Sequence, residues 1–206
     1  MSAPVERPYG TWPSPLPAEA LVAGASAVGE VRVDGDDVWW TESRPSEGGR
    51  IELVRRRVDG TTSELLADRP PPADGGAWNV RTGCYEYGGG AWCVESGVVV
   101  FAQWGDQRLH RVIADDPDDV PVPLTAAPAA PRGVRYGDVV ALDHGWVVAV
   151  RERHPGEVGV PADATEAVHD IVAVPTDGSA ADDATSRVRR SLPSASTRRV
   201  GSMNSS

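Results

Sequence analysis

The sequence of 206 residues contains no lysine, and all 20 of its basic side chains are arginine. Lysine supplies the amine of the Walker A phosphate loop, the Schiff base of pyridoxal-phosphate enzymes and several catalytic bases, and arginine cannot replace it in these roles. Those enzyme classes are therefore excluded. The 30 acidic residues give a formal charge of -10. Because nucleic-acid binding needs clustered cations, we expect no nucleic-acid partner.

Cysteine and long apolar runs are also scarce. Cys84 and Cys93 are the only thiols, and none of the four histidines stands in a metal-binding spacing. We therefore expect reduced structural thiols, no metal and no cofactor. The N-terminus has no apolar signal-peptide core, and no later run is long enough to cross a bilayer. These absences predict a cytoplasmic protein that does not associate with membranes.

From residue 29 onward, short stretches of alternating apolar and polar residues are separated by turns, which is typical of antiparallel strands. A unit of four such strands recurs at intervals close to one propeller blade, roughly 40 to 50 residues, plus loop insertions. We predict an all-β protein: a partial β-propeller at 29–181 with about three four-stranded antiparallel blades. A plain β-sandwich is the alternative, since many short strands suit both folds. The predicted blades lie at about residues 29–68, 88–126 and 134–181.

The two ends of the chain lack this pattern. Prolines throughout 1–17 remove backbone donors and favour extended conformations, so residues 1–28 are predicted to form an irregular arm with one short helix at 18–23. Residues 182–206 contain serine and arginine with almost no apolar side chains, which predicts a disordered tail. The third repeat stops before a fourth strand is legible, so we expect a truncated chain or a fragment.

A glycine-rich stretch at 79–94 carries the polar groups of greatest interest. It places an arginine, a glutamate and two tyrosines before three consecutive glycines, and a predicted strand follows directly. Binding groups are commonly placed at such strand mouths, and glycine lets another surface approach the main chain closely. A tight turn is the alternative interpretation. The four candidate side chains are Arg81, Tyr85, Glu86 and Tyr87.

Three stretches of the sequence resemble the opening of bacterial prolyl oligopeptidase-type serine peptidases, in the dipeptidyl- and acylaminoacyl-peptidase branch. They are Tyr-Gly-Thr-Trp-Pro-Ser-Pro at 9–15, the run at 29–40 that ends in Val-Trp-Trp, and Arg-Thr at 81–82 followed by Glu-Tyr-Gly-Gly-Gly-Ala-Trp at 86–92. In that family an N-terminal β-propeller covers a C-terminal α/β-hydrolase domain. The family usually has histidine before Glu-Tyr-Gly-Gly, whereas this chain has Tyr85.

The resemblance implies a non-catalytic propeller fragment that gates or orients peptide substrate for an α/β-hydrolase domain. Arg81, Tyr85, Glu86 and Tyr87 would then face the substrate or that domain, and Glu86 would meet a cation such as a peptide amino terminus. The alternative is a stand-alone propeller-like binding or scaffold module. The sequence directly downstream discriminates the two, because it either continues into further blades and a Gly-x-Ser-x-Gly motif or does not.

The seven tryptophans divide into two groups. Those on predicted strands are expected to fill the space between packed sheets, because large rings contribute most to such cores. Those in loops are the better candidates for contact with a partner. The first group is Trp39, Trp40, Trp92 and Trp146, and the second is Trp12, Trp78 and Trp104.

We predict that the purified chain hydrolyses no peptide or ester. A serine hydrolase needs Gly-x-Ser-x-Gly at a strand-to-helix turn, and the nearest approach, Gly-Ala-Ser-Ala-Val at 24–28, lacks the last glycine. Chromogenic aminoacyl and acyl-peptide substrates, with a fluorophosphonate probe as a second readout, test this expectation. Turnover that survives purification, or stoichiometric labelling of a serine, would contradict it.

Overall fold

The computed structural model describes residues 6–11, 13, 17, 26–73, 75–142 and 145–181. Within these residues the fold is all-β, as predicted, and the only helical element is a short 3-10 helix at Pro45–Glu47. That helix is too short to span a membrane. The helix expected at 18–23 and the tail expected at 182–206 lie outside the described residues.

Three antiparallel sheets make up the structure, and within each sheet every strand pairs with the next strand along the chain. The first sheet contains β1 (Val28–Asp34), β2 (Asp37–Arg44), β3 (Arg50–Arg56) and β4 (Thr62–Glu64). The second contains β5 (Trp92–Glu95), β6 (Val98–Ala102), β7 (Leu109–Ile113) and β8 (Val122–Pro123). The third contains β9 (Val134–Leu142), β10 (Trp146–Arg153) and β11 (Val168–Pro175). Each sheet is therefore a meander.

The first strands of the three sheets lie together, because β5 packs against β1 on one side and against β9 on the other. The sheets consequently follow one another as propeller blades do, whereas a sandwich would pack two sheets face to face. Closed propellers have typically 4 to 8 blades, so the three sheets form a partial propeller. The third sheet has three strands within the described residues, in agreement with a third repeat in which no fourth strand is legible.

The strand β6 shows how the alternation of side chains builds two cores. Val99 and Phe101 pack into the core shared with the first sheet. Val100 and Ala102 point the opposite way, into the core shared with the third sheet. Because both faces of the second sheet are covered, this strand is a continuous apolar run.

The strand tryptophans occupy two environments. Trp39 and Trp92 are completely buried between the first and second sheets, as predicted. Trp40 and Trp146 are only half-buried. The prediction that Trp78 contacts a partner is wrong, since this loop residue belongs to the core shared by the first two sheets.

Trp78 is buried because its loop folds back over the second sheet. Its indole nitrogen donates a hydrogen bond to the Pro70 carbonyl at 2.7 Å. Its ring meets Phe101 edge to face, with centroids 5.8 Å apart. A partner for the indole N–H and an aromatic neighbour together account for a tryptophan in the core.

Acidic residues in the turns cross-link the first two sheets. Asp34, the last residue of β1, accepts hydrogen bonds from the backbone of Ser96 at 2.8 Å and Gly97 at 2.7 Å. Asp115, after β7, accepts from Arg55 at 2.6 Å and from Arg57 at 2.8 Å.

The glycine-rich stretch joins the second sheet to the third by main-chain contacts. The carbonyl of Gly89 accepts a hydrogen bond from Asp138 N at 3.3 Å, and that of Gly90 accepts one from Val139 N at 2.8 Å. A Cβ atom at Gly90 would lie 2.5 Å from the Asp138 Cα. Residue 90 must therefore be glycine for the backbone of β9 to come this close.

We expect Gly90→Ala to destabilise the chain more than Gly35→Ala. Both glycines have left-handed backbones, φ 56° and 60°, so alanine costs a similar backbone strain at each, about 1–2 kcal/mol. Only Gly90 adds a steric clash, because space around Gly35 is open. The clash should cost roughly 1–3 kcal/mol more. Urea denaturation measures both free energies of unfolding, and equal losses would refute the close contact.

Candidate functional site

Backbone strain within the described residues concentrates around the loop 81–90. Seven residues other than glycine have a positive φ, and six of them lie in this loop or contact it. Such conformations persist only where surrounding contacts enforce them, and they cluster at functional sites. The loop is therefore the candidate site. The six residues are Glu30, Tyr85, Glu86, Gln107, Arg132 and Asp138.

A buried carboxylate on β10, Glu152, holds this loop in place. Its Oε2 atom accepts hydrogen bonds from Tyr85 N at 2.7 Å and from the His169 ring at 3.1 Å. Its Oε1 atom accepts one from His154 at 2.8 Å and lies 3.2 Å from the Arg135 guanidinium. Burial raises the pKa of Glu152, but the hydrogen bonds and Arg135 outweigh burial, so the pKa lies below its usual value.

Arg135, on β9, adds a second attachment. Its guanidinium donates hydrogen bonds to the Gly83 carbonyl and to Glu86 Oε1, both at 2.9 Å. Its Nε atom donates to the Arg132 carbonyl at 3.2 Å. One side chain thus connects the loop to the third sheet and orients Glu86, whose side chain is nevertheless 75% exposed.

The structure places all four sequence-predicted residues at the surface. The ring of Tyr85 stacks on His169, with centroids 5.1 Å apart, and Tyr87 is 96% exposed. Glu86 pairs with the third sheet rather than with the second, whose first strand follows it. Arg81 is exposed, with its guanidinium 4.3 Å from the centre of the Trp104 ring.

Arg132 contacts the same tryptophan and was not predicted from the sequence. Its guanidinium lies 3.9 Å from the centre of the Trp104 ring. Burial lowers the pKa of Arg132, and the positive charges of Arg135 and Arg81 lower it further. Trp104, unlike Trp78, remains half-buried and accessible.

Three residues of the site have metal-ligating atoms close together. The oxygen atoms of Glu86 and Glu152 and a His154 nitrogen lie within 4.8 Å of one another. The Arg135 guanidinium contacts both carboxylates, at 2.9 and 3.2 Å. Because arginine keeps its charge, it already neutralises them, and a cation would first have to displace it.

Cys84 lies within the loop but is not poised to react. It is fully buried, and its pKa is raised to about 12, first by burial and then by the charges of Glu152 and Asp138. Burial also raises the pKa of Cys93 to about 12. Since the thiolate is the nucleophile, both cysteines are structural at neutral pH.

No protein-family model matches the chain. No curated protein matches it either. The fold and the loop define a propeller region, and solved structures with the same architecture exist. Puromycin hydrolase is 37% identical with a TM-score of 0.69, and a Mycobacterium tuberculosis puromycin-hydrolyzing peptidase is 40% identical with a TM-score of 0.68. A puromycin hydrolase mutant complexed with PGG is 39% identical with a TM-score of 0.68.

These similarities cover 86–87% of this chain but only 26% of each of those proteins. Puromycin hydrolase is a peptidase of the prolyl oligopeptidase family. The resemblance to that family is therefore confirmed: this chain is similar to one part, about a quarter, of such a peptidase.

We predict that Glu152→Gln loosens the loop at neutral pH and has little effect in acid. The folded-state pKa of Glu152 is lowered, so its charge stabilises the fold above the unfolded value of about 4.3, and this contribution disappears as the pH falls through the folded-state pKa. Hydrogen bonds to a charged group imply a loss of about 2 kcal/mol at pH 7.

Urea denaturation of both proteins between pH 7 and pH 3 measures this effect. Glu166→Gln is the matched control, because Glu166 is exposed. A Glu152→Gln protein as stable as the unmodified one at pH 7, or a deficit that does not shrink in acid, would contradict the prediction.

Proposed function

We propose that this chain, at about residues 29–181, forms part of the β-propeller of a prolyl oligopeptidase-type serine peptidase. In that role it gates or orients peptide substrate for an α/β-hydrolase domain and is itself not catalytic. The similarity to two puromycin-hydrolysing enzymes supports this assignment, as does the partial propeller fold. Peptide substrate and hydrolase domain are then its partners, and the cytoplasm is the expected location.

The proposal rests mainly on how the exposed carboxylate of Glu86 is held. Its Oε1 atom accepts the hydrogen bond from Arg135, whereas its Oε2 atom has no partner within the described residues. The carboxylate is thus oriented by one contact and open to a second. A free amine is the group that such an oxygen would bind best, by a charge-assisted hydrogen bond.

Neighbouring side chains support a role in receiving a peptide. Tyr87 is almost fully exposed beside Glu86, and Tyr85 presents a ring edge fixed by stacking on His169. Exposed aromatic rings with few rotatable bonds supply contact area at low entropic cost. In the proposed function Arg81, Tyr85, Glu86 and Tyr87 all face the substrate or the hydrolase domain.

Two experiments test the proposal. The coding sequence downstream of this chain should continue into further blades and a Gly-x-Ser-x-Gly motif. If the downstream sequence lacks these features, a stand-alone binding module is the better interpretation of the chain. The second experiment uses the longer protein and puromycin, which carries a free amine beside its amide bond.

We expect Glu86→Gln in that longer protein to raise KM for puromycin about tenfold, because a hydrogen bond to a charged group is lost. KM for an N-acetylated peptide substrate should not change. Glu64→Gln is the matched control, since Glu64 is also a partly exposed carboxylate paired with an arginine, at 2.8 Å from Arg44. Equal effects on free and acetylated substrates would overturn the role given to Glu86.

A further inference from the structure

Two arginines at the site form no ion pair with any acidic side chain of the described residues. The guanidiniums of Arg81 and Arg132 lie 4.3 and 3.9 Å from the centre of the Trp104 ring. Within the described residues neither guanidinium forms an ion pair or a side-chain hydrogen bond. A cation–π contact occupies no hydrogen-bond acceptor, so N–H donors of these guanidiniums remain available to a ligand.

The segments that carry this cluster are fixed before any ligand binds. The fully buried Gln107 accepts a hydrogen bond from Gly83 N at 2.7 Å and donates one to the Trp104 carbonyl at 2.8 Å. Trp104 N also donates to the Asn79 carbonyl at 3.0 Å. Little backbone ordering would therefore accompany binding, which lowers its entropic cost.

The nearby acidic groups each have another partner, although the charge of Glu86 also favours the charged form of Arg132. Asp106, in the same loop as Trp104, accepts hydrogen bonds from His110 at 2.9 Å and from Arg108 N at 3.0 Å. Glu86 and Glu152 both contact Arg135. The cluster therefore remains positive within a chain whose formal charge is -10.

We propose that Arg81, Arg132 and Trp104 form a binding site for a carboxylate. The planar fork of a guanidinium matches a carboxylate, so each of these two cations can donate a pair of hydrogen bonds to such a group. The strongly negative chain opposes a dianion such as phosphate more than a singly charged carboxylate. The ligand is either the C-terminal carboxylate of a peptide or an acidic side chain of a partner protein, and the site does not depend on the proposed peptidase function.

The test is an NMR titration of the 206-residue chain with three N-acetylated probes: acetyl-triglycine, its C-terminal amide, and an amidated acetyl-peptide with one internal aspartate. Acetylation removes the amine that Glu86 would bind, so the outcome is independent of the proposed function. We expect acetyl-triglycine to shift the Trp104 indole and the Arg81 and Arg132 side-chain signals saturably, with affinity that falls as salt rises. The C-terminal amide of this peptide should not shift these signals.

Variants assign the effect to the two arginines. Arg81→Gln and Arg132→Gln should each weaken binding about tenfold. Arg56→Gln should not, because Arg56 is an exposed arginine without an ion pair within the described residues. If Arg132→Gln does not fold, Arg81→Gln decides alone, since Arg81 is exposed and only its main chain is hydrogen-bonded.

Each outcome has a defined meaning. Binding of acetyl-triglycine alone identifies a peptide C-terminus, and binding of the aspartate peptide as well identifies a carboxylate from either source. If the acid and the amide bind equally, if neither carboxylate probe binds, or if both glutamine variants bind as the unmodified chain does, the proposal is wrong.

Discussion

The geometry of the site depends on one buried carboxylate. The carboxylate of Glu152 forms hydrogen bonds with the main chain of Tyr85 and with two histidine rings. Arg135 forms ion pairs with both Glu152 and Glu86. A buried charge is tolerated only when it is paired and fully hydrogen-bonded, so the loss of one of these contacts destabilises the others. Because Glu152 lies on the third sheet and the loop precedes the second, the site exists only while the two sheets are packed together. Binding and inter-sheet packing are consequently one property of this chain.

Most of the fold was predictable from the sequence because apolar and polar residues alternate along its strands and its turns contain glycine. The observed limits of β2, β5 and β6 differ by only a few residues from the limits that the sequence pattern of strands and turns predicts. The apolar–polar alternation marks only the second half of β9, because Arg135, Gly137 and Asp138 interrupt it at the point where the loop docks. Asp138 has a left-handed backbone there, which no local pattern signals.

The candidate site was predictable only in part. Arg81, Glu86 and the two tyrosines could be predicted because they lie in the same short stretch as the three glycines. Glu152 and Arg132 come from other segments of the chain, and a lone glutamate or arginine in a strand or turn gives no signal of its own. Trp78 and Trp104 are indistinguishable in the sequence, since both are predicted loop residues. Only tertiary packing makes Trp78 buried and leaves Trp104 accessible.

The two unpaired thiols give this protein built-in reporters of its own opening. Cys84 belongs to the loop, and its side chain is enclosed between the loop and Gly137 of β9, whereas Cys93 lies in the core between the second and third sheets. A thiol reagent therefore reaches the first when the loop lifts from β9 and the second only when the sheets separate. The two labelling rates, measured on one sample, would order local and global opening along the same pathway.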